Sequence, residues 1–226
     1  MTLDLHRATK FSDAQIRKLS AKARRALEAD VAAWIRRDAQ CNQLVYYRVA
    51  NPDAMKLHGS VAREFGIQGG NKSSKSGTML AELAIQMTGV VPLSLSICAA
   101  CRRPMQGQDG AWRHEGPVED GHAAGLAYPV MKLRPPIRVR LVVTSNVNAW
   151  DENLKQKLQY SQWNGRLNEH ELPGDPRYGH WGWIPQRFLI HGDWDASWSE
   201  RHRKLTLNLR GDGGSEPGST LTVMCV

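Results

Sequence analysis

Apolar positions recur along the chain at two different periods, and each predicts a different kind of element. Ser12-Asp13-Ala14-Gln15 has capping-box spacing, and Ile16, Leu19, Leu27, Val31, Trp34 and Ile35 then follow a helical stripe, which predicts a long first helix. Val45 to Val49 is predicted extended and leads through Asn51-Pro52 to a short extended run, Arg63 to Gln68, with Phe65 and Ile67 on one side. After Lys75, the residues Leu80, Leu83, Ala84 and Met87 return to helical spacing and stop at Gly89, a natural C-terminal signal. Ile137, Val139, Leu141 and Val143 alternate with Arg138, Arg140, Val142 and Thr144, the period of a strand and the best such signal in the chain. Asn148 is expected to cap a following helix with Trp150, Leu154 and Leu158 on one face. Lys204 to Leu209 and Thr220 to Cys225, joined by Gly211-Asp212-Gly213-Gly214, predict a terminal hairpin. Strands alternating with helices predict an α/β fold, a parallel sheet flanked by helices. An N-terminal helical segment is assigned to residues 1–44 and one main domain to 45–226, with an irregular excursion over 92–136 where periodicity gives way to Gly, Pro, Asp and Glu.

The length of 226 residues suits one α/β core with a small appendage, and two full domains would be cramped. A formal net charge of +8 favours a polyanionic partner, although basic proteins that bind no nucleic acid are common. Arg17, Lys18, Lys22, Arg24, Arg25, Arg36 and Arg37 decorate the first helix; they face phosphates, a partner's acidic surface, or solvent alone. No apolar run approaches a membrane span and the N-terminus has no apolar signal core, so an intracellular location is expected. Cysteines at 41, 98, 101 and 225 do not have the spacing of a disulfide scaffold.

Candidate chemistry is concentrated in Gly69-Gly70-Asn71-Lys72-Ser73-Ser74-Lys75-Ser76. A loop of form G-x-x-x-x-G-K-[ST] cradles phosphates on backbone N–H groups, with Lys at the β/γ oxygens and Ser or Thr on Mg²⁺. Gly69, Lys75 and Ser76 fit that form, and Ser74 replaces the second Gly. A short strand before the loop and a helix after it are the context such a loop needs, and the helix dipole adds to anion binding. Cys98-x-x-Cys101, followed by His114 and His122, offers a mixed ligand set for tetrahedral Zn²⁺; two free thiols in a loop is the other reading. Asp193 and Asp195 offer either a metal-dependent nuclease pair or a polar turn leading into Trp198, and the turn is favoured. Packing is likewise favoured over base stacking for the Trp-rich stretch around Gly179-His180-Trp181-Gly182-Trp183-Ile184-Pro185.

Several further stretches extend the signal of the loop: Met87-Thr88-Gly89-Val90-Val91-Pro92-Leu93, Pro136-Ile137-Arg138-Val139-Arg140, Lys157-Leu158-Gln159-Tyr160, residues 179–185, and Trp194-x-x-Ser197-Trp198-Ser199-Glu200. With them, residues 45 to 226 resemble the N-terminal ATPase part of a phage terminase large subunit, the motor that packages DNA into tailed-phage heads. The family's loop reads G-G-N-R-S-G-K-[ST]. The resemblance implies a P-loop NTPase-type sheet, with ATP and Mg²⁺ as cofactors bound by Gly69, Gly70, Asn71, Lys72, Ser73, Ser74, Lys75 and Ser76. Lys75 would act on the β/γ phosphates, Ser76 on Mg²⁺, and Lys72 near the γ-phosphate. Double-stranded DNA, a terminase small subunit and a portal protein are the implied partners, with assembly into an oligomer in the host cytoplasm. The chain departs from the family at Ser74, and around Ala54 and Met55 it lacks the Gln with which many relatives recognise adenine. The family's acidic pair for Mg²⁺ and water activation belongs on a strand just beyond the terminal hairpin, and its nuclease domain later still. These 226 residues alone are therefore expected to bind nucleotide weakly and hydrolyse it negligibly. A basic nucleic-acid-binding module with a structural zinc at the Cys98/Cys101 loop remains the second reading.

Overall fold

The computed structural model describes residues 18–49, 51–62, 75–108, 111–114, 121–122, 125–159 and 182–226. The Ser12 capping box, the extended run over 63–68, Gly69 to Ser74, Tyr160 and residues 179–181 lie outside them. Helix α1 (Ala21–Cys41) is capped by Ser20, whose hydroxyl accepts from the Ala23 N–H at 3.2 Å, so the predicted helical stripe is interrupted between the helical Lys18 and Ala21. Leu19 precedes the helix. Val45 to Val49 does not form the predicted strand. Successive turn bonds, Val45 N–H to Asn42 O, Tyr46 N–H to Gln43 O and Tyr47 N–H to Leu44 O, satisfy this backbone locally while Leu44 and Tyr47 are buried. Helix α2 (Pro52–Gly59) starts on Asn51, whose side chain accepts from Ala54 N–H at 2.8 Å, with proline at its first position.

Helix α3 (Lys75–Thr88) occupies the span its periodicity predicts. Leu80, Ala81, Ala84, Ile85 and Met87 are its buried apolar face. Gly89 ends it at φ +74°, a left-handed conformation that glycine adopts without a side-chain clash, while its N–H returns to Ile85 O at 2.8 Å.

Within 92–136, where no regular element is expected, β1 (Met105–Gln108) and β2 (Ala111–His114) form an antiparallel hairpin with Met105 opposite His114. Strands of four residues are too short for alternation to stand out in the sequence. Strand β3 (Arg138–Val143) matches its prediction. The following helix is capped by Ser145, not Asn148: the Ser145 hydroxyl accepts from Asn148 N–H at 3.1 Å. It runs as a π-helix over Asn146–Leu154 and continues as α4 (Lys155–Leu158). Helix α5 (Trp194–Ser197), strands β4 (Trp198–Ser199), β5 (Lys204–Asn208) and β6 (Pro217–Cys225), and 3₁₀ turns at Val130–Lys132, Gln186–Phe188 and Ile190–Gly192 complete the described elements.

The main sheet has the order β3-β6-β5-β4 and is mixed, which corrects the expected parallel sheet. Only β3 and β6 run parallel, from Arg138 opposite Thr220 to Val143 opposite Cys225; β5 pairs antiparallel with both β6 and β4. The predicted hairpin β5–β6 places an antiparallel partner beside β6, so a purely parallel sheet cannot form. A P-loop NTPase arrangement is not defined by these strands.

Leu205, Leu207, Leu221 and Val223 turn one sheet face into the core, where they join Ile85, Trp150, Leu158 and Ile184. Ser219 fastens α3 to that sheet: its hydroxyl donates to Met87 O at 2.7 Å and accepts from Ile137 N–H at 3.0 Å. Two of the stretches that carry the family resemblance touch. Trp183 N–H donates to Lys157 O at 2.7 Å and Ile184 N–H to Leu158 O at 3.1 Å, an approach so close that a Cβ on Gly182 would lie 2.2 Å from the Gln159 carbonyl.

Candidate functional site

The hairpin excursion gathers Cys98, Cys101, His114 and His122, all four of which were singled out by their spacing. One ligand atom from each lies within 4.8 Å of all the others. Cys98 Sγ is 3.2 Å from His122 Nε2, and Cys101 Sγ is 3.5 Å from His114 Nε2. Local pairing explains the convergence. Cys98 bridges Leu126, with Ala99 N–H donating to Gly125 O at 2.7 Å, which brings the chain just after His122 against the first cysteine. The bond from Arg102 N–H to Cys98 O at 3.0 Å, with Arg102 at φ +63°, folds Cys101 back, and strand β2 delivers His114 at its end. Backbone N–H donation from Cys101, aided by the His114 ring and the Ala100 and Gly125 amides, outweighs burial and lowers the Cys98 thiol to about 5. A thiolate is the form that ligates a metal. Cys98 and Cys101 are not in a disulfide, and this group could hold a metal ion.

Of the proposed phosphate loop, Lys75 and Ser76 lie among the described residues; Gly69, Gly70, Asn71, Lys72, Ser73 and Ser74 do not. Lys75 and Ser76 open helix α3. Ser76 is exposed, and among the described residues a Cβ built on Gly77 would meet nothing within 4 Å.

Behind the first turn of α3 is a buried ionic cluster that the periodicity does not announce. Glu82 is 4% exposed, yet its carboxylate accepts from His58 Nδ1 at 2.7 Å, Gln86 Nε2 at 2.7 Å, Tyr128 OH at 3.0 Å and Lys132 Nζ at 2.5 Å. His58, wholly buried, reaches Tyr47 OH through Nε2 at 3.0 Å, and the Tyr47 oxygen accepts from Thr78 in the first turn of α3. Lys132 also donates to His58 O at 3.1 Å and stands 5.0 Å from the centre of the Tyr128 ring. One signal was available: Glu82 interrupts the apolar run Met79-Leu80-Ala81-Glu82-Leu83-Ala84-Ile85, where a lone carboxylate requires a partner.

Other singled-out residues have structural explanations. Asp193 Oδ1 accepts from Asp195 N–H at 3.0 Å and caps α5, the polar-turn role favoured over a nuclease pair. Trp150, Trp194 and Trp198 stack in the core, with Trp198 ring centroids 5.2 Å from Trp150 and 6.3 Å from Trp194. A shallow hollow of 410 Å³ lined by Asn42, Gln186, Arg187, His191 and Asp212 shares no residue with either site. Among the described residues, no helix is long and apolar enough to cross a membrane.

Burial pushes the Glu82 carboxyl up, but donation from His58, Lys132 and Gln86 and the Lys132 charge hold it below its ordinary value of 4.5. A depressed carboxyl stabilises the fold above its unfolded value and loses that contribution as pH falls through the lower, folded value. Glu82→Gln leaves Lys132 buried without its counter-ion and is expected to cost about 3–5 kcal/mol at pH 7. In urea titrations the gap from the parent chain should narrow as pH drops below 4.5. A gap independent of pH would mean that Glu82 is not held as a carboxylate.

Compared with known proteins, the chain matches no family model, no curated protein and no solved structure.

Proposed function

We propose that this chain is the ATP-binding portion of a viral DNA-packaging motor of the terminase large-subunit type, and that its Cys98/Cys101/His114/His122 group holds a structural Zn²⁺. The observation that carries the motor reading is helix α3 (Lys75–Thr88), whose first described residues, Lys75 and Ser76, directly follow Gly69 to Ser74 in the sequence. The N-terminal end of a helix offers its positive dipole end to an anion. The exposure of Ser76 fits the approach of a phosphate group. Bound ATP and Mg²⁺ would supply the phosphoanhydride whose cleavage drives such a motor. In this reading Lys75 neutralises β/γ charge, Ser76 directs its hydroxyl to the metal ion, and amides from Gly70 to Lys75 hold the phosphates. Duplex DNA as cargo, with a small subunit and a portal protein as partners, follows from the same resemblance.

The zinc reading rests on donor chemistry and spacing. Tetrahedral zinc with sulfur near 2.3 Å and nitrogen near 2.0–2.1 Å requires sulfur–nitrogen edges of about 3.6 Å. The Cys98–His122 and Cys101–His114 pairs, at 3.2 and 3.5 Å, need only slight expansion. Four protein ligands complete the tetrahedron and leave no open position, the signature of a structural rather than catalytic zinc. A second reading, a basic nucleic-acid-binding module built round this zinc, is favoured by exposed Lys22 and Arg25 on α1 and by exposed Arg102 and Arg113 beside the ligands.

Calorimetric titration with ATP and Mg²⁺ should give saturable binding that Lys75→Ala weakens at least tenfold, from loss of a charged hydrogen bond of about 1.5–3 kcal/mol. No response to ATP, alongside DNA binding that weakens steeply with salt, would overturn the motor and leave the basic module. Metal analysis of the purified chain should return one zinc per molecule, lost in Cys101→Ser; metal-free folded protein would refute the zinc site.

A further inference from the structure

The metal-bearing excursion begins and ends on the same buried polar cluster. At its start, Leu93 N–H donates to Val45 O at 2.9 Å, and the Ser94 hydroxyl donates to Tyr47 O at 2.7 Å. Tyr47 is the residue whose hydroxyl meets His58. At its end, Ala99 N–H to Gly125 O and Ala127 N–H to Ile97 O, both 2.7 Å, pair residues 125–127 with the segment that carries Cys98. The very next residue is Tyr128, wholly buried with its hydroxyl on Glu82. A single 3₁₀ turn, Val130–Lys132, then swings Lys132 onto the same carboxylate.

Only two residues separate the ligand His122 from Gly125, and two more separate Gly125 from Tyr128. An ion joining Cys98 to His122 would therefore close the excursion immediately before the paired stretch that presents Tyr128 and Lys132. A short segment anchored at both ends cannot lose one anchor without loosening the other, and an effect of one site on the other must be reciprocal.

We propose that the Cys98/Cys101/His114/His122 metal centre and the buried Glu82 cluster are thermodynamically coupled, the bound ion holding Tyr128 and Lys132 against Glu82. The cluster in turn locks α2 to α3, because His58 and Glu82 belong to those helices, and it reaches the first turn of α3 through Tyr47 and Thr78. Metal loading thus sets the rigidity of the turn that carries Lys75 and Ser76. This inference rests on the metal reading of the four ligands. The coupling itself requires no nucleotide.

The test is Zn²⁺ affinity by competition with a chromophoric chelator, measured on the full chain, Lys132→Met and Tyr128→Phe. Lys132→Met should weaken zinc binding about tenfold, within the 5- to 150-fold span usual for coupled sites, and Tyr128→Phe by a smaller factor. Met224→Ala, at an exposed position of strand β6, serves as control and should leave zinc affinity unchanged. Tyr128→Phe retains the ring and carries the test should Lys132→Met fail to fold. In the reciprocal arm, removing zinc should shift the His58 ring resonances in nitrogen-15 spectra. Equal zinc affinity in all variants, with His58 unmoved on chelation, would overturn the coupling and leave the metal site standing; absence of zinc binding by the parent chain would overturn the metal reading and the coupling together.

Discussion

A carboxylate removed from water must be compensated where it sits, and Glu82 sets that constraint for half of this fold. Burying an ion costs several kcal/mol even after relaxation, and the cost is met only if nearly every lone pair of the carboxylate finds a donor. Here the donors come from α2, from α3 itself and from the segment 128–132, with sequence separations of 24, 4 and 46 residues for His58, Gln86 and Tyr128. Satisfying one side chain therefore fixes three segments against each other, which apolar contacts alone would let slide by a turn. The sheet behind α3 is held by ordinary apolar packing, with Ser219 as its polar fastener.

Both candidate sites connect to that constraint through the chain. Lys75 and Ser76 are the first described residues of α3, and the cysteine and histidine ligands are carried by the excursion that returns Tyr128 and Lys132 to the helix. An anion site made of main-chain amides gains from a rigid helix start, since amides that already point the right way need no reordering when phosphate arrives.

How much was legible in the sequence follows from the range of the interactions involved. Helix α3, strand β3 and the β5–β6 hairpin were readable because their burial is periodic and their ends carry local signals such as Gly89. Cys98, Cys101, His114 and His122 were readable as a ligand set from residue type, although only folding shows that β2 and the Cys98–Leu126 bridge bring them together. Val45 to Val49 misled because its apolar residues look like a strand, whereas its amides are consumed by local turns. The π-helix start misled by three residues because Ser145 and Asn148 are both competent caps. The mixed sheet was implied by the readable β5–β6 hairpin, which an all-parallel sheet cannot contain, whereas the Glu82 cluster was hidden because each of its members is ordinary alone.

The most direct test of the central claim is the protonation of the His58 ring, read from nitrogen-15 chemical shifts and one-bond couplings in the folded chain at neutral pH. An ionised Glu82 facing Nδ1 at 2.7 Å requires a proton on Nδ1, and that is the result the account predicts. A bare Nδ1 with the proton only on Nε2 would mean that Glu82 is itself the donor, a neutral acid. It would contradict the buried carboxylate on which the helix packing, and the coupling to the metal centre, depend.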